Sequence, residues 1–320
     1  MTTLRQLLCS GWLLLALPAL PADLRIQRIE TGLAGRMRHY ATPGLSIAVV
    51  DGGRIAWAHG YGVLQQTRSK PARVTARTLF QMASISKPVA SIGALRMVER
   101  GELSLDEDVN AKLSSWKLPS NDFTARQPVT LRRLLTHTAG IRSGQLPGYT
   151  ASEPLPSLLD ALRGGSVINT PLVRVDFLPG SRCSYSNGGF LVVQQLMSDA
   201  AHKPFPDLMR QLVLKRAGMK RSTYRQPLPD KWKKEASSGH RITGKPIPGR
   251  WHAFPEQAAV GLWSTPSDLA RLAIELSRAF NGQSRGLISQ SMAQEMFRRQ
   301  AGGFGLAWLV DGEGDSLSFR

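Results

Sequence analysis

Cysteine is scarce in this 320-residue chain, which contains only Cys9 and Cys183. If Cys9 leaves with an N-terminal signal, one cysteine remains and no internal disulfide can form. Large domains need no disulfide because they bury enough apolar surface, and 42% of these residues are hydrophobic. The composition therefore predicts one large domain or two closely packed lobes. We expect Cys183 to be a small buried filler.

Long runs of one charge are also missing. The formal net charge is +18, yet no five consecutive residues are basic, and the densest patch is Lys231-Trp232-Lys233-Lys234. Without such a block, and without a helix-turn-helix or RNA-binding pattern, the excess charge favours scattered surface arginine over nucleic-acid binding. We expect no nucleic-acid partner. A weak association with the anionic cell envelope stays open, because a basic surface attracts anionic polymers.

Metal-binding and phosphate-binding patterns are absent from the sequence as well. The six histidines show no His-x-x-x-His spacing and join no cysteine cluster, which argues against the common zinc sites. No Gly-x-x-x-x-Gly-Lys-Ser/Thr loop occurs, so the usual nucleotide-binding loop is missing. We predict no cofactor.

The N-terminus has the pattern of a targeting segment. Arg5 precedes an apolar stretch over residues 7–17, and Pro18-Ala-Leu-Pro-Ala22 follows it, with small alanines around a less suitable Leu20. This order predicts a secretory signal peptide over residues 1–22, and hence a periplasmic or secreted protein. The stretch is too short to span a membrane comfortably, so an uncleaved inner-membrane anchor is the alternative.

Strand patterns lie near both ends of the chain, and helical patterns fill the middle. A hairpin is predicted around Asp51-Gly52-Gly53. Apolar spacing predicts a helix that includes Val89 and Val98 and ends at Gly101. Further helices are predicted over 24–40, 131–137, 189–200, 205–217, 265–281 and 289–299, and further strands over 304–310 and 316–319. The order predicts an α+β fold, with an antiparallel sheet built from both chain ends and a helical lobe inserted.

One predicted helix has an explicit start and end. Thr265 is its expected N-cap, Pro266 occupies the first position, and Asp268 completes an arrangement like a capping box. The helix is expected to stop at Asn281-Gly282. Before it, residues 218–255 are rich in proline, glycine, lysine and arginine, which indicates loops.

The segment Ser84-Ile-Ser-Lys87-Pro88 has the spacing of a nucleophile and its base. In a helix that begins at Ser84, Ser84 and Lys87 share one face, and Pro88 falls harmlessly in the first turn. The helix N-terminus favours negative charge at an attacked carbonyl. A lysine among apolar neighbours has a lowered pKa and can act as a neutral base. The spacing is common by chance, and a second copy at 114–117 has the composition of a surface segment.

Other segments of the chain support the interpretation of Ser84 and Lys87 as a nucleophile and its base. In an extended turn, Tyr185 and Asn187 project to the same side of the chain. A phenol can relay a proton, and an amide can orient a lysine or a substrate carbonyl. Two further distinctive stretches are Leu134-Leu-Thr-His-Thr-Ala-Gly140 and Ala258-Ala-Val-Gly-Leu-Trp-Ser-Thr265.

Together these segments resemble the serine β-lactamase-related family, in its branch of class C β-lactamases, family VIII carboxylesterases and D-amino-acid peptidases. The similarity extends from about Leu24 to the last residue. It implies a β-lactamase/transpeptidase-like fold for residues 23–320. The sheet lobe would comprise about 24–77 and 256–320, and the helical lobe about 78–255.

The resemblance also implies a role for each site residue. Ser84 would be the acylated nucleophile, and its own N–H would form half of the oxyanion hole. Lys87 would activate Ser84. Tyr185 would act with Lys87 as general base and then as acid to the leaving group. Asn187 would position Lys87 and the substrate. His137 and Asp268 are interpreted as structural.

The implied function is a monomeric serine hydrolase that forms an acyl-serine intermediate. Its partner would be a small-molecule or peptide substrate with a carbonyl group, held by an amide, lactam or ester bond. The residues do not select among these substrates, and likeness of fold does not select among them either.

One family motif is missing from the expected place. Phe304-Gly-Leu-Ala-Trp308 matches the strand that precedes a Lys-Thr-Gly or His-x-Gly motif in the family, but Arg320 is reached without that motif. We therefore expect a chain that is C-terminally incomplete relative to its family, without the last strands and the closing helix. Loss of one oxyanion donor costs about 100-fold or more in rate. An inactive penicillin-binding-like or envelope-associated pseudoenzyme is therefore the alternative.

A second enzyme class has a weaker match. Gly282-Gln-Ser-Arg-Gly286 fits the Gly-x-Ser-x-Gly pattern of α/β-hydrolases. That serine must follow a buried strand and open a helix, whereas here it follows a predicted helix. The pattern argues against this class.

Overall fold

The computed structural model describes residues 32–66, 71–142, 144–165 and 168–320. The chain divides into two units, residues 1–40 and residues 41–320. In the first unit, residues 32–39 are helical, which confirms that part of the helix predicted over 24–40. The predicted signal peptide, residues 1–22, lies outside the described residues. Among the described helices, none is long and apolar enough to cross a membrane.

The second unit opens with the predicted hairpin. Strand β1 (Gly44–Asp51) pairs antiparallel with β2 (Arg54–Gly62), and the register runs from Gly44 opposite Gly62 to Asp51 opposite Arg54. Gly52 and Gly53 have φ values of 54° and 69°. Two consecutive left-handed residues match the twist of the flanking strands, and glycine adopts that conformation without a Cβ clash.

The remaining strands form two further pairs. Strand β3 (Phe80–Gln81) pairs with β4 (Trp263–Ser264), and β5 (Val310–Asp311) pairs with β6 (Ser318–Phe319). These three strand pairs are antiparallel, as predicted. Within the described ranges, however, the three pairs are separate and no ladder joins the two ends of the chain. The expectation of one sheet built from both ends is not met there.

The strand predicted over 304–310 is wrong for most of its length. Gly303 and Ala307 have φ values of 81° and 73°, and such left-handed residues interrupt an extended strand. The segment forms tight turns instead, in which Gly305 N–H donates to Trp308 O at 2.8 Å. Ala307 N–H donates to Leu135 O at 2.9 Å. Only its last residue, Val310, belongs to a strand.

Ten α-helices lie in the described part of the second unit. They are α1 (Ser86–Glu99), α2 (Asp122–Arg126), α3 (Leu131–Leu135), α4 (Leu158–Arg163), α5 (Asn187–Ala201), α6 (Phe205–Met209), α7 (Asp230–Lys233), α8 (Gln257–Val260), α9 (Pro266–Phe280) and α10 (Gln290–Phe297). A π-helical turn, Arg210–Leu214, continues α6, and short 3₁₀ turns occur at Ala83–Ile85, Val109–Ala111 and Gly314–Ser316. Each predicted helix is present, and most are shorter than predicted.

Helices α1 and α5 form the centre of the core. Val89, Ile92 and Leu95 of α1 are fully buried, as are Phe190 and Val193 of α5. The two helices pack against each other, and α8 packs against both of them. Helix α1 ends as predicted, because Gly101 has φ 71° and its N–H donates to Val98 O at 2.9 Å. The core therefore fixes the N-terminal ends of α1, α5 and α8 relative to one another.

Helix α9 packs against both strands of the hairpin. Thr265 caps it as predicted, because its Oγ1 accepts from Asp268 N at 3.2 Å. Asp268 does not complete a capping box. Its buried carboxylate instead accepts from Arg221 N at 2.7 Å and from Ser222 Oγ at 2.8 Å. A buried carboxylate needs several donors, and the loop at 221–222 supplies them.

Candidate active site

Ser84 is the central residue of the 3₁₀ turn that leads into α1. The helix begins at Ser86, two residues later than predicted. Ala83 has φ 44°, a left-handed conformation that is costly for a residue with a Cβ. Ser86 holds the turn, because its Oγ donates to Ala83 O at 2.6 Å and accepts from Leu262 N at 3.0 Å. The turn leaves Ser84 exposed at the N-terminal end of α1.

Lys87 lies directly against Ser84, as the spacing predicts. Its Nζ is 3.2 Å from Ser84 Oγ and donates to Ala259 O at 3.0 Å. The side chain is only 2% exposed. Burial disfavours the charged form and lowers the pKa of Lys87 to about 7. A large fraction of Lys87 is therefore neutral near pH 7, and its lone pair can accept a proton from Ser84.

Tyr185 completes a three-residue cluster. Burial raises the pKa of Tyr185, and an interaction of its hydroxyl with the Ser84 side chain partly offsets that rise. Lys87 Nζ lies 5.0 Å from the centroid of the Tyr185 ring. Because its pKa is raised, the phenol stays protonated near neutral pH and is suited to relay a proton. The structure thus brings together Ser84, Lys87 and Tyr185.

His137 supports this cluster from beneath the Tyr185 segment. The ring centroids of His137 and Tyr185 are 4.6 Å apart. His137 Nδ1 accepts from Ser186 N at 3.1 Å, and His137 O accepts from Ser184 N at 2.8 Å. Burial and the charge of Lys87 lower the pKa of His137 to about 3, so the ring is neutral and can accept this bond. These contacts agree with the structural interpretation of His137.

Asn187 is not placed as predicted. It is the first residue of α5, and its Nδ2 donates to Gly144 O at 2.7 Å. No hydrogen bond joins it to Lys87 in the described part of the chain. Ser186 caps α5 by accepting from Gly189 N at 3.0 Å, so Asn187 already belongs to the helix. The helical backbone directs its amide to the loop that contains Gly144. Asn187 Oδ1 is buried and lacks a partner among the described residues.

Helix α8 contributes groups to which sequence reasoning assigned no role. Ala259 O holds Lys87, as described above. Gln194 of α5 fixes the start of α8, because its Oε1 accepts from Ala258 N at 2.9 Å and its Nε2 donates to Pro255 O at 3.0 Å. The buried Glu256 has two carboxylate oxygens without a partner among the described residues, and burial raises its pKa to about 7. The sequence analysis singled out residues 258–265 as a distinctive segment, but their sequence did not indicate which residues they would contact.

The competing serine motifs are structural. Lys117 of the second Ser-x-x-Lys copy donates to Asn110 O at 2.6 Å, and Ser114 N donates to Asp199 Oδ2 at 2.7 Å. Ser284 of the Gly-x-Ser-x-Gly match lies in the loop after α9 and accepts from Gly286 N at 3.1 Å. It therefore does not follow a strand, as an α/β-hydrolase elbow requires. No group of three or more potential metal ligands occurs among the described residues.

Comparison with known proteins agrees with this geometry. The Beta-lactamase family matches residues 29–318 of the chain. Esterase EstB of Burkholderia gladioli is 25% identical over 308 residues, which cover 86% of this chain and 74% of the esterase. A Beta-lactamase of Pseudomonas fluorescens is 26% identical over 250 residues, which cover 77% of this chain and 63% of that protein. Several other relatives are longer, and this chain spans between 35% and 45% of them.

Solved structures of several enzymes have a similar fold. The D-amino acid amidase from Ochrobactrum anthropi superposes with a TM-score of 0.71 at 21% identity, covering 93% of this chain and 83% of the amidase. This likeness confirms the predicted β-lactamase/transpeptidase-like α+β fold. The comparisons lend no support to the pseudoenzyme alternative. The chain belongs to the Beta-lactamase family and, with these relatives, to the serine hydrolases of the β-lactamase-related type.

Proposed function

We propose that the protein hydrolyses an amide, lactam or ester bond through an acyl-serine intermediate on Ser84. One observation carries the proposal: an exposed serine hydroxyl contacts both a buried lysine and a tyrosine hydroxyl. A nucleophile that contacts its base, with the base held by a further group, is the arrangement that activates a serine. Here Ala259 O is that further group.

The first half of the reaction forms the acyl-enzyme. Neutral Lys87 takes the proton of Ser84 as Oγ attacks the substrate carbonyl carbon. The tetrahedral intermediate then expels the leaving group, which receives a proton from the Tyr185 hydroxyl. Lys87 then returns its extra proton to the Tyr185 oxygen, which restores the neutral amine and the phenol. The products of this half are acyl-Ser84 and the protonated leaving group.

The second half releases the acyl group. Water enters where the leaving group was, and Tyr185 with neutral Lys87 accepts one of its protons as the hydroxyl attacks the acyl carbon. The proton then passes to Ser84 Oγ as the acyl bond breaks. The product is a free acid, and the serine is restored. Ala259 O positions Lys87, and His137 positions Tyr185. Both residues therefore stay close to Ser84, and the protons move over short distances.

The named relatives support the bond type. They include an esterase, a β-lactamase and a D-amino acid amidase, and an acyl-serine mechanism opens each of those bonds by attack on a carbonyl carbon. We also propose that the protein acts in the periplasm or outside the cell. The charged, then apolar, then small-residue order of residues 1–22 supports that location.

Labelling with a fluorophosphonate probe tests the proposal. The purified protein, Ser84→Ala and Ser114→Ala are each treated with the probe, and their intact masses are measured. Ser114→Ala is the matched control, because Ser114 belongs to the structural copy of the motif. We expect one adduct on the parent and on Ser114→Ala, and none on Ser84→Ala. A folded parent that forms no adduct, or an adduct that persists in Ser84→Ala, would contradict the proposal.

A further inference from the structure

Three arginines lie together at the C-terminal end of α1, away from the reacting cluster. Arg96 belongs to the last turn of the helix, Arg100 is its C-cap, and Arg216 follows the π-helical turn Arg210–Leu214. Helix α1 has 14 residues, so this end lies about 20 Å from the end that holds Ser84. A ligand bound by these arginines would therefore occupy a different place from a substrate at Ser84.

Arg96 is a nearly buried cation without a counter-ion among the described residues. It is 8% exposed. Its Nη1 donates to Gly286 O at 2.8 Å, and this is its one hydrogen bond within the described part of the chain. Its Nε is buried and has no partner there. Because arginine is rarely buried unless it is paired, the guanidinium of Arg96 lacks an anionic acceptor.

A second guanidinium meets Arg96 at the same carbonyl oxygen. Arg216 Nη1 donates to Gly286 O at 3.4 Å, and Arg216 is exposed and forms no ion pair with a described residue. Burial and the charges of Arg216 and Arg100 lower the pKa of Arg96. Two positive charges that share one neutral oxygen repel each other. An anion that contacts both guanidinium groups would replace this repulsion with attraction.

The nearby acidic groups do not pair with these two arginines. Glu99 offsets part of the repulsion on Arg96, but its Oε1 accepts from Ser289 N at 2.8 Å. Glu102 pairs with Arg100 at 3.6 Å. The C-terminal end of a helix adds about half a negative charge, which favours one cation but does not balance two. The cluster therefore keeps a positive excess that a bound anion would balance.

The donors indicate which anion suits the cluster. The two oxygens of a carboxylate lie in one plane and match the fork of one guanidinium group. A phosphate group has three terminal oxygens in a tetrahedral arrangement, so it can accept from two guanidinium groups that are not coplanar. A phosphate monoester carries about −1.5 to −2 at pH 7, which is close to the charge of two guanidinium groups. Both arguments favour phosphate over a carboxylate.

We propose that Arg96 and Arg216 form a binding site for a phosphate group, either free or as a monoester. The phosphate oxygens accept from the N–H groups that the two arginines leave open, and Gly286 O holds the two guanidinium groups close together. Arg216 is exposed, so an ester group on the fourth oxygen can extend into solvent. The inference does not depend on the proposed function, because no group that reacts at Ser84 takes part in it.

Calorimetry with inorganic phosphate tests the site. Phosphate and acetate are titrated separately into the purified protein, Arg216→Gln and Arg126→Gln. Arg126 is the matched control, because it is exposed and lies in the last turn of α2. We expect the parent to bind phosphate with a Kd of about 1 mM or tighter and acetate at least about tenfold more weakly. Arg216→Gln should weaken phosphate binding by about tenfold or more, and Arg126→Gln by less than about twofold.

Three results would overturn the inference. They are the absence of saturable phosphate binding to the parent, equal affinities for phosphate and acetate, and equal weakening by Arg216→Gln and Arg126→Gln. Urea unfolding without phosphate shows that each variant is folded. With phosphate present, the unfolding midpoint of the parent should rise, and that of Arg216→Gln should not, because a ligand that binds only the folded state stabilises it.

A variant with the opposite effect separates this site from general attraction to a basic protein. Glu99→Gln removes a negative charge beside Arg96 and keeps the oxygen that accepts from Ser289 N. It should tighten phosphate binding by about twofold to fivefold, whereas Glu107→Gln, at an exposed position outside the cluster, should leave it unchanged. Equal tightening by both variants would contradict a localised site.

Glycerol 3-phosphate distinguishes the two sources of the phosphate group. If it binds more tightly than inorganic phosphate and is weakened equally by Arg216→Gln, the site takes a phosphate monoester. If only inorganic phosphate binds, the site takes the free ion. If glycerol 3-phosphate binds and Arg216→Gln does not weaken it, the monoester is held elsewhere, which would contradict the inference for esters.

Discussion

The lowered pKa of Lys87 predicts how activity depends on pH. Burial lowers this pKa from 10.5 to about 7. At pH 7 about half of the lysine is then neutral, whereas an unperturbed lysine would be about 0.03% neutral. Burial therefore increases the population of the active base by about a thousandfold at pH 7. The proposed mechanism therefore requires this increase for activity near neutral pH.

The assay is kcat/KM for p-nitrophenyl acetate between pH 5 and pH 9, corrected by the rate with Ser84→Ala. We expect a tenfold fall per pH unit below pH 7 and a plateau above it, because only neutral Lys87 accepts the serine proton. Lys87→Met should lose about 100-fold or more of the plateau activity. A rate that is flat from pH 5 to pH 9, or one still rising at pH 9, would refute a neutral Lys87 as the base.

Three further predictions concern stability, each measured by urea unfolding. Burial raises the pKa of Glu256 from 4.5 to about 7 in the folded protein. The free energy of unfolding therefore falls as the pH rises between these values. Glu256→Gln should be more stable than the parent by about 3 kcal/mol at pH 8 and equally stable at pH 4. His137→Phe leaves the Ser186 N–H without its acceptor and should cost about 1–3 kcal/mol; an unchanged midpoint would contradict its structural role. Asp268→Asn weakens the bonds to Arg221 N and Ser222 Oγ and should cost about 1.5–3 kcal/mol. Asp230→Asn, at an exposed position, is the control and should leave the urea midpoint nearly unchanged.

Local rules predicted the centre of the site. Positions separated by three residues share a helix face, and that rule placed Lys87 against Ser84 even though α1 begins two residues later than expected. The left-handed glycines after β1 and after α1 were equally predictable, since few other residues adopt that conformation at low cost. These features depend on a few consecutive residues, so the sequence alone specifies them.

The parts that were missed depend on tertiary packing. The acceptor that holds Lys87 is the backbone carbonyl of Ala259, and any residue there would offer the same atom. Asn187 turns away from Lys87 because α5 already begins at that residue. If α5 began one residue later, Asn187 would be extended and its side chain would point in a different direction. Ala307 adopts a left-handed conformation that its side chain does not favour, so no local pattern indicated the turns between Phe304 and Val310.

Acylation of Ser84 by a substrate tests the central claim most directly. The protein is mixed with excess p-nitrophenyl acetate, the release of p-nitrophenol is followed from the first milliseconds, and a sample quenched in acid is digested for peptide mapping. The account predicts a burst that matches the enzyme concentration, with the acetyl group on Ser84 in the parent. It predicts no acetyl group there in Lys87→Met. An acetyl group on another residue, or the same yield at Ser84 without Lys87, would contradict it.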